Sequence, residues 1–380
     1  MFVPPIVLAS GWFSSKIPGP AESLARGLCR RVFPVDDPVA EGYLLTQLEN
    51  AMPSRYPQFD RSRLQILPLA QRQHLVALDD LLEVGQSPLP FEHAHLPPLA
   101  DAVVAARRDG RAVILLMGAH VIKQGLSRYV IDFIRRGWIS LVALNGAGCV
   151  HDYELARIGA TSESVANYIR RGQFGLWRET AEINDIVSAG AAEGLGMGEA
   201  LGRAVAAGCG PAGTAGLPHR DASVFAAAYE ASVPATVHVG IGYDILHEHP
   251  NFDAAATGAA SYRDFLIFAR EVENLEGGVV ICCGTAVMGP EVYLKALSMA
   301  RNVASAQGRE ICHFTSAVFD LLHLSGDLHA EAPKDSPEYY YRPYKTVLVR
   351  TVADGGTSYY IRGDHRATIP ALHRLLSERV

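Results

Sequence analysis

The chain has 380 residues, 49% of them hydrophobic, and a formal net charge of −6. That size and apolar content allow one large α/β domain or two smaller ones. The acidic balance, without any Lys/Arg block, excludes nucleic-acid and membrane-surface binding, and no apolar run reaches the ~18–20 residues of a membrane span.

The six cysteines, Cys29, Cys149, Cys209, Cys282, Cys283 and Cys312, include no C-x-x-C pair. They read as reduced thiols of a cytoplasmic protein, not as a disulfide framework. Pro4 and Pro5 break the first apolar run, and no basic stretch precedes it, so no signal peptide is expected.

Residues 1–95 are rich in proline and lack a strand–helix rhythm. Helical stretches are expected at 21–31, 39–51 and 75–83. The segment reads as an arm or cap that carries no recognisable chemistry. Pro88, Pro90, Pro97 and Pro98 mark its end, and one α/β domain is expected over 96–380. Helix 99–108 leads into the buried strand Val113-Ile114-Leu115-Leu116-Met117 and the turn Gly118-Ala119-His120. Helix 126–136 carries Val130, Ile131, Phe133 and Ile134 on a broad apolar face. Strand 139–144 then runs into Asn145-Gly146-Ala147-Gly148. Helices are expected near 152–158, 162–171 and 181–194, then a Gly/Ala-rich helix and loop at 200–216 and a helix at 223–232. Strand 235–239 ends in Gly240-Ile241-Gly242-Tyr243-Asp244, and strand 278–283, after helix 261–273, ends in Gly284-Thr285. Helix 288–306 follows. Segments 311–314 and 346–351 read as strands, 352–359 as a hairpin turn around Asp354-Gly355-Gly356, and 369–376 as a closing helix. The expected fold class is a doubly wound, mainly parallel, Rossmann-like α/β sheet with a proline-rich N-terminal arm.

In an open parallel sheet, ligands sit outside the carboxyl ends of the strands. The glycine turns therefore share one rim, and helix starts there suit anions. This makes Gly118, Ala119, His120, Asn145, Gly146, Ala147, Gly148, Asp244, Gly284 and Thr285 candidate cofactor-binding residues. Lys123, just past the first turn, suits a phosphate. No G-x-G-x-x-G fingerprint is present, so the usual dehydrogenase site is not expected.

The order of these motifs resembles deoxyhypusine synthase over roughly 99–376. In that family a Thr-Ser-Asn turn, a helix, a strand and a Thr-Ala-Gly-Gly-Val-Glu-Glu turn occur in succession. The stretches matching them are Gly118-Ala119-His120 and Asn145 to Asp152. A Gly-rich strand end and a helix closing in Met-Arg-Asn match Gly284 and Met299-Ala300-Arg301-Asn302. The family's reactive lysine, in Trp-Gly-Lys-Ile-Arg-Val, corresponds to Lys345 in Pro343-Tyr344-Lys345-Thr346-Val347. Its NAD-contacting aspartate corresponds to Asp364. The resemblance implies a Rossmann-like fold, NAD as cofactor and a homo-oligomer. The family's acidic pair is His151-Asp152 here, and its spermidine-contacting histidine falls near Met288-Gly289-Pro290. These departures point to a substrate other than the family's polyamine.

Residue chemistry gives the same candidates definite roles. A lysine that forms an imine must be neutral, and Tyr339, Tyr340, Tyr341 and Tyr344 could supply the setting for Lys345. The alternative is an exposed lysine at a strand start. His151 suits a general base, and Asp152 could hold a substrate ammonium or cap the following helix. Tyr243, His247, Glu248 and His249 read as pocket lining or inert loop. His247-Glu248-His249 could also bind a metal, with His238 or Asp253 as a third ligand. The expected function is an NAD-dependent transferase or oxidoreductase acting on a small-molecule amine through an imine, with Lys345, His151 and Asp152 catalytic. The rivals are a metal-dependent enzyme built on His247-Glu248-His249 and a non-catalytic ligand-binding protein of the same fold.

Overall fold

The computed structural model describes residues 54–86, 89–211 and 216–380, so Cys29 and the helices expected at 21–31 and 39–51 lie outside the described residues. Arg61–Val380 form one compact unit. Its sheet has six strands: β1 (Val113–Met117), β2 (Leu141–Asn145), β3 (Ala235–His238), β4 (Val279–Cys283), β5 (Thr315–Asp320) and β6 (Thr357–Arg362). The spatial order is β3-β2-β1-β4-β5-β6. Every neighbouring pair is parallel, with Leu115 of β1 in register with Val142 on one side and Ile281 on the other.

Sequence explains the layering. VILLM and VVICC are continuous apolar runs because both faces of a parallel sheet are covered. Alternate residues go to opposite cores. Val113, Leu115 and Met117 pack in one core with Val103, Phe133, Tyr153 and Leu372. Ile114 and Leu116 pack in the other with Phe268, Tyr293, Leu297 and Val347. The first face is covered mainly by α1 (Leu96–Arg108), α3 (Ser127–Arg135), α4 (Gly146–Ile158), α6 (Arg178–Ala192), α7 (Met197–Ala206), α8 (Val224–Glu230) and α11 (His365–Ser377). The second is covered by α9 (Ala254–Val272), α10 (Met288–Ala306) and a π-helical turn, Pro343–Arg350. The short helices α2 (Ala119–Lys123) and α5 (Val165–Ile169) lie at the strand-end rim and beside it. Among the described residues no helix is long and apolar enough to cross a membrane.

Three sequence expectations are corrected. Residues 75–83 form a two-residue strand, Val76–Ala77, and a 3-10 turn, Leu78–Asp80, not a helix. Residues 61–95 belong to the same compact unit as the sheet: Leu69 and Leu81 are buried, and Arg72 is buried in an ion pair with Glu154. The strand expected at 346–351 is the π-helical turn. A fully apolar run has no period that separates strand from buried helix, and here every residue from Pro343 to Val349 is buried. The hairpin at 352–359 is instead the entry to β6, which pairs parallel to β5 with Thr315 opposite Thr357. The fifth sheet strand lies just beyond the segment expected at 311–314.

Two glycines give opposite predictions from the same substitution. A Cβ on Gly198 would lie 1.9 Å from the Ala235 carbonyl oxygen, because α7 sits directly on β3. Gly258, inside α9, has nothing within 4 Å of that position. Gly198→Ala should lower the unfolding free energy by roughly 2–3 kcal/mol through overpacking. Gly258→Ala should raise it by about 0.5–1 kcal/mol through helix propensity. Urea denaturation of the two variants checks both signs.

Candidate functional site

Helix α4 starts directly at the end of β2. Asn145 caps it, its side chain accepting from the Gly148 N–H at 3.0 Å, so the expected open turn at 145–148 is the first turn of the helix. At 100° per residue, His151 and Glu154 share one face of α4 and Asp152 points elsewhere. Asp152 is fully buried, and accepts from Val224 N at 2.6 Å and from the Ser223 hydroxyl. It anchors the start of α8 and does not line the cleft described next. Burial pushes its pKa up to about 6.

His151 and Glu154 face a cleft of about 220 Å³, also lined by Lys123, Glu163, Tyr243 and Asp244. His151 Nδ1 lies 2.8 Å from the Thr161 hydroxyl, which donates to Glu154 Oε2 at 2.6 Å. Glu154 also accepts from Arg72 Nη1 at 2.9 Å, Arg72 Nη2 at 2.6 Å and the Thr180 hydroxyl at 2.6 Å. Burial alone would raise the Glu154 pKa, but the charge and hydrogen bonds of Arg72 outweigh it and leave the pKa below the ordinary value. Glu163 accepts from Trp177 Nε1 at 3.0 Å and Gly175 N at 3.1 Å, and burial raises its pKa. Burial lowers the His151 pKa to about 4, with Lys123, Arg72 and His120 adding to the effect against Glu154.

Asp244 closes another wall. Burial pushes its pKa up to about 6, against the pull of the Gly240 and Ala147 N–H groups. Its Oδ2 is buried without a hydrogen-bond partner. The carboxyl group lies 2.4 Å from where a Cβ on Gly146 would be, so glycine is required there for the approach. The N-terminus of α4, expected to receive a phosphate, is thus occupied by the chain's own carboxylate. The other expected anion site, at Gly118-Ala119-His120, opens a helix of only five residues, too short for a useful macrodipole.

The remaining rim residues gather where β1 and β4 adjoin, the crossover of the strand order. A Cβ on Gly118 would lie 2.1 Å from the Gly284 carbonyl oxygen, so these turns close on each other. Gly284 has φ +61°, and a Cβ there would lie 2.9 Å from His365 Nε2 and 3.8 Å from His120 Cβ. Glycine therefore lets the backbone pass closely between two histidines. Thr285 accepts from Gly289 N at 3.0 Å, and Asp364 caps α11 through Arg366 N at 2.8 Å. Around the rim Ile241, Tyr243, Val287, Leu321 and Leu322 expose large apolar side chains. The Gly118 and Gly284 turns, His120 and His365 thus meet at the strand-end rim. Helix α2 links the two places: it carries His120, beside Gly284, and Lys123, in the wall of the cleft.

Other sequence candidates lie apart. Lys345 does not line the cleft. It starts no strand: it is buried in the π-helical turn, its Nζ 3.2 Å from the centroid of the Tyr339 ring. His247 Nδ1 accepts from Gly242 N at 3.1 Å, and His249 Nε2 donates to the Gly175 carbonyl at 2.9 Å. Glu248, raised in pKa by burial and Glu163, neighbours the Gly175 turn. His238 is bonded to Thr236 at 3.0 Å, and Asp253 caps α9. Among the described residues no group of three or more His, Cys, Asp or Glu is arranged to hold a metal ion. Cys149 is buried and its thiol pKa is pushed up by burial. Arg72, Glu154, Thr161 and Glu163 are the site residues that sequence reading missed. The i, i+3 spacing of His151 and Glu154 on a helix was the available signal.

No family model and no curated protein matches the chain. Solved structures it is similar to include the following three. Apo ArgZ, an arginine dihydrolase from the ornithine-ammonia cycle in cyanobacteria, is 14% identical over 76% of this chain and 33% of that chain, with TM-score 0.44. A putative LOR/SDH protein from Methanococcus maripaludis S2 is 15% identical over 79% of this chain and 74% of that chain, with TM-score 0.43. AgrE in a ternary complex with ornithine and NAD+ is 11% identical over 77% of this chain and 34% of that chain, with TM-score 0.38. The chain spans about a third of the length of ArgZ and of AgrE. None of the three is a deoxyhypusine synthase, and at these identities and TM-scores they assign no residue roles.

His151 should stay neutral well below the usual histidine range. Its titration, followed by NMR of the ring, is expected near pH 4, and a midpoint near 6.5 would contradict the burial argument. The unfolded ring binds its proton first, so this residue's contribution to stability is present above pH ~6.5 and lost as pH falls towards 4, by up to about 3 kcal/mol.

Proposed function

We propose that the protein is an NAD-dependent oxidoreductase acting on a small amine. The amine occupies the His151 cleft, and the dinucleotide lies across the Gly118/Gly284 crossover. The observation that carries this reading is a neutral, desolvated base and an unpartnered carboxylate oxygen in one cleft. That cleft adjoins the crossover of a 3-2-1-4-5-6 parallel sheet, the strand order of dinucleotide-binding folds.

Each residue has a task. Asp244 Oδ2, buried without a donor, accepts an N–H of the substrate ammonium. His151 takes a proton from that ammonium and frees the nitrogen lone pair needed for a C=N bond. Lys123 has no carboxylate partner among the described residues and suits an anionic group elsewhere on the substrate. Gly118, Gly284, His120, Thr285 and His365 would hold the dinucleotide, with Asp364 positioning His365 at the start of α11. Bound NAD would supply the hydride acceptor. Lys345 stays outside this chemistry because it does not line the cleft, so the reading is amine oxidation and not transfer through a lysine imine. A homo-oligomer, as the resemblance implies, would cover the apolar side chains of the rim.

Mass spectrometry of small molecules released on denaturation should find NAD or NADH, and NAD should be reduced on adding a cognate amine. Failure of NAD to bind on direct titration would sink the reading. As pH falls through about 6, Asp244 protonates and kcat/KM should drop. Asp244→Asn should abolish that limb and raise KM for the amine on the order of 10–100-fold, the worth of one hydrogen bond to a charged group.

A further inference from the structure

We infer that Thr161 is a positioning residue that fixes the His151 proton on Nδ1, leaving Nε2 as the atom that accepts a proton. The kinetic consequence rests on the base role proposed above. The tautomer itself does not.

Counting hydrogens fixes the tautomer. Glu154 is ionised against Arg72 and can only accept. The single Thr161 hydroxyl hydrogen is donated to Glu154 Oε2 at 2.6 Å. The Thr161 oxygen, 2.8 Å from His151 Nδ1, has no second hydrogen to give, so it accepts there. A neutral imidazole carries one N–H. With that hydrogen on Nδ1, Nε2 has a free lone pair. Glu154 thereby acts on His151 through Thr161 and not by direct contact, orienting the ring and favouring the imidazolium when it forms.

The backbone around Thr161 is built to hold this geometry. Helix α4 ends at Gly159 in the left-handed region, φ +69°. Ala160 and Thr161 then pair antiparallel with Ala77 and Val76. The next residue, Ser162, is 4% exposed and has φ +66°, left-handed although it is not glycine. Leu75 N holds both the Thr161 carbonyl, at 3.3 Å, and the Ser162 carbonyl, at 3.1 Å. Strain of this kind persists only where surrounding structure over-determines it, and it clusters at functional sites. Here it turns the chain immediately after the residue that bridges His151 and Glu154.

Long-range 1H–15N NMR of the labelled full chain near pH 7 reads the tautomer directly. The wild type should show Nδ1–H with unprotonated Nε2. Thr161→Val keeps the shape, removes the hydroxyl and should give mixed tautomers. With a cognate amine and NAD, its kcat should fall about 10–100-fold with KM within about threefold, part of the 10²–10⁴ that a positioned base supplies. Thr161→Ser should restore the tautomer and the rate. Nε2–H in the wild type overturns the inference. So does a Thr161→Val protein that keeps Nδ1–H and full turnover. Should Thr161→Val not fold, the wild-type tautomer and its retention in Thr161→Ser still decide. A wild type with Nδ1–H but no amine turnover keeps the tautomer and discards the proposed function.

Discussion

Glu154 is the group on which the site depends. Its carboxylate is almost wholly shut off from water and accepts from two nitrogens of Arg72 and the hydroxyls of Thr161 and Thr180. Taking an ion pair out of water costs several kcal/mol per ion, and only good geometry with the remaining lone pairs satisfied offsets it. Four charge-assisted bonds to one carboxylate meet that condition. They also draw together four separate parts of the chain: the segment before the sheet domain's first helix, α4, the short strand after it, and α6. Removing either ion would leave the other buried and alone, which is why this pair specifies structure more than it adds net stability.

The same pattern of close approach shapes the rim. Glycine at 146 admits the Asp244 carboxyl, and glycine at 284 admits the His365 ring beside His120. In the first case the space is filled by the chain itself. In the second the His365 ring packs against the backbone. Strand-end glycines therefore mean different things at different strands, and only the three-dimensional filling separates them.

Sequence alone cannot tell such cases apart, though it reveals the frame around them. The first four strands and the shared rim were legible, because continuous apolar runs ending in small polar turns suit buried parallel strands and little else. The strand order was not legible, since it depends on which crossover passes over which neighbour. Asp152 attracted attention as His151's neighbour in sequence, yet one residue along a helix is a 100° turn. The cleft partner lies at i+3. Arg72 could not be found from its surroundings, a proline-rich stretch without period. Thr161 gave no signal because its role comes from a bridge with Val76 and a left-handed Ser162. Lys345 sat beside Thr346-Val347-Leu348-Val349, whose β-branched residues suit a strand. The crossover from β5 to parallel β6 needed a covering element instead, and the run became buried helix.

Burial acts on the two cleft groups in opposite chemical directions with a common result. It lowers the His151 pKa to about 4 and raises that of Asp244 to about 6. Above pH ~6 the cleft therefore holds a neutral imidazole and an ionised carboxylate. That combination attracts a cation and can also remove its proton. Between about 4 and 6 both groups are neutral and the attraction is lost while the base remains. Below 4 the imidazole is charged and repels a cation. For the proposed amine reaction, a single cause, exclusion of water, would thus set a lower pH limit for binding that is higher than the limit for proton abstraction. The first limit is set by Asp244 and the second by His151, and the two lie far enough apart to be resolved in one profile.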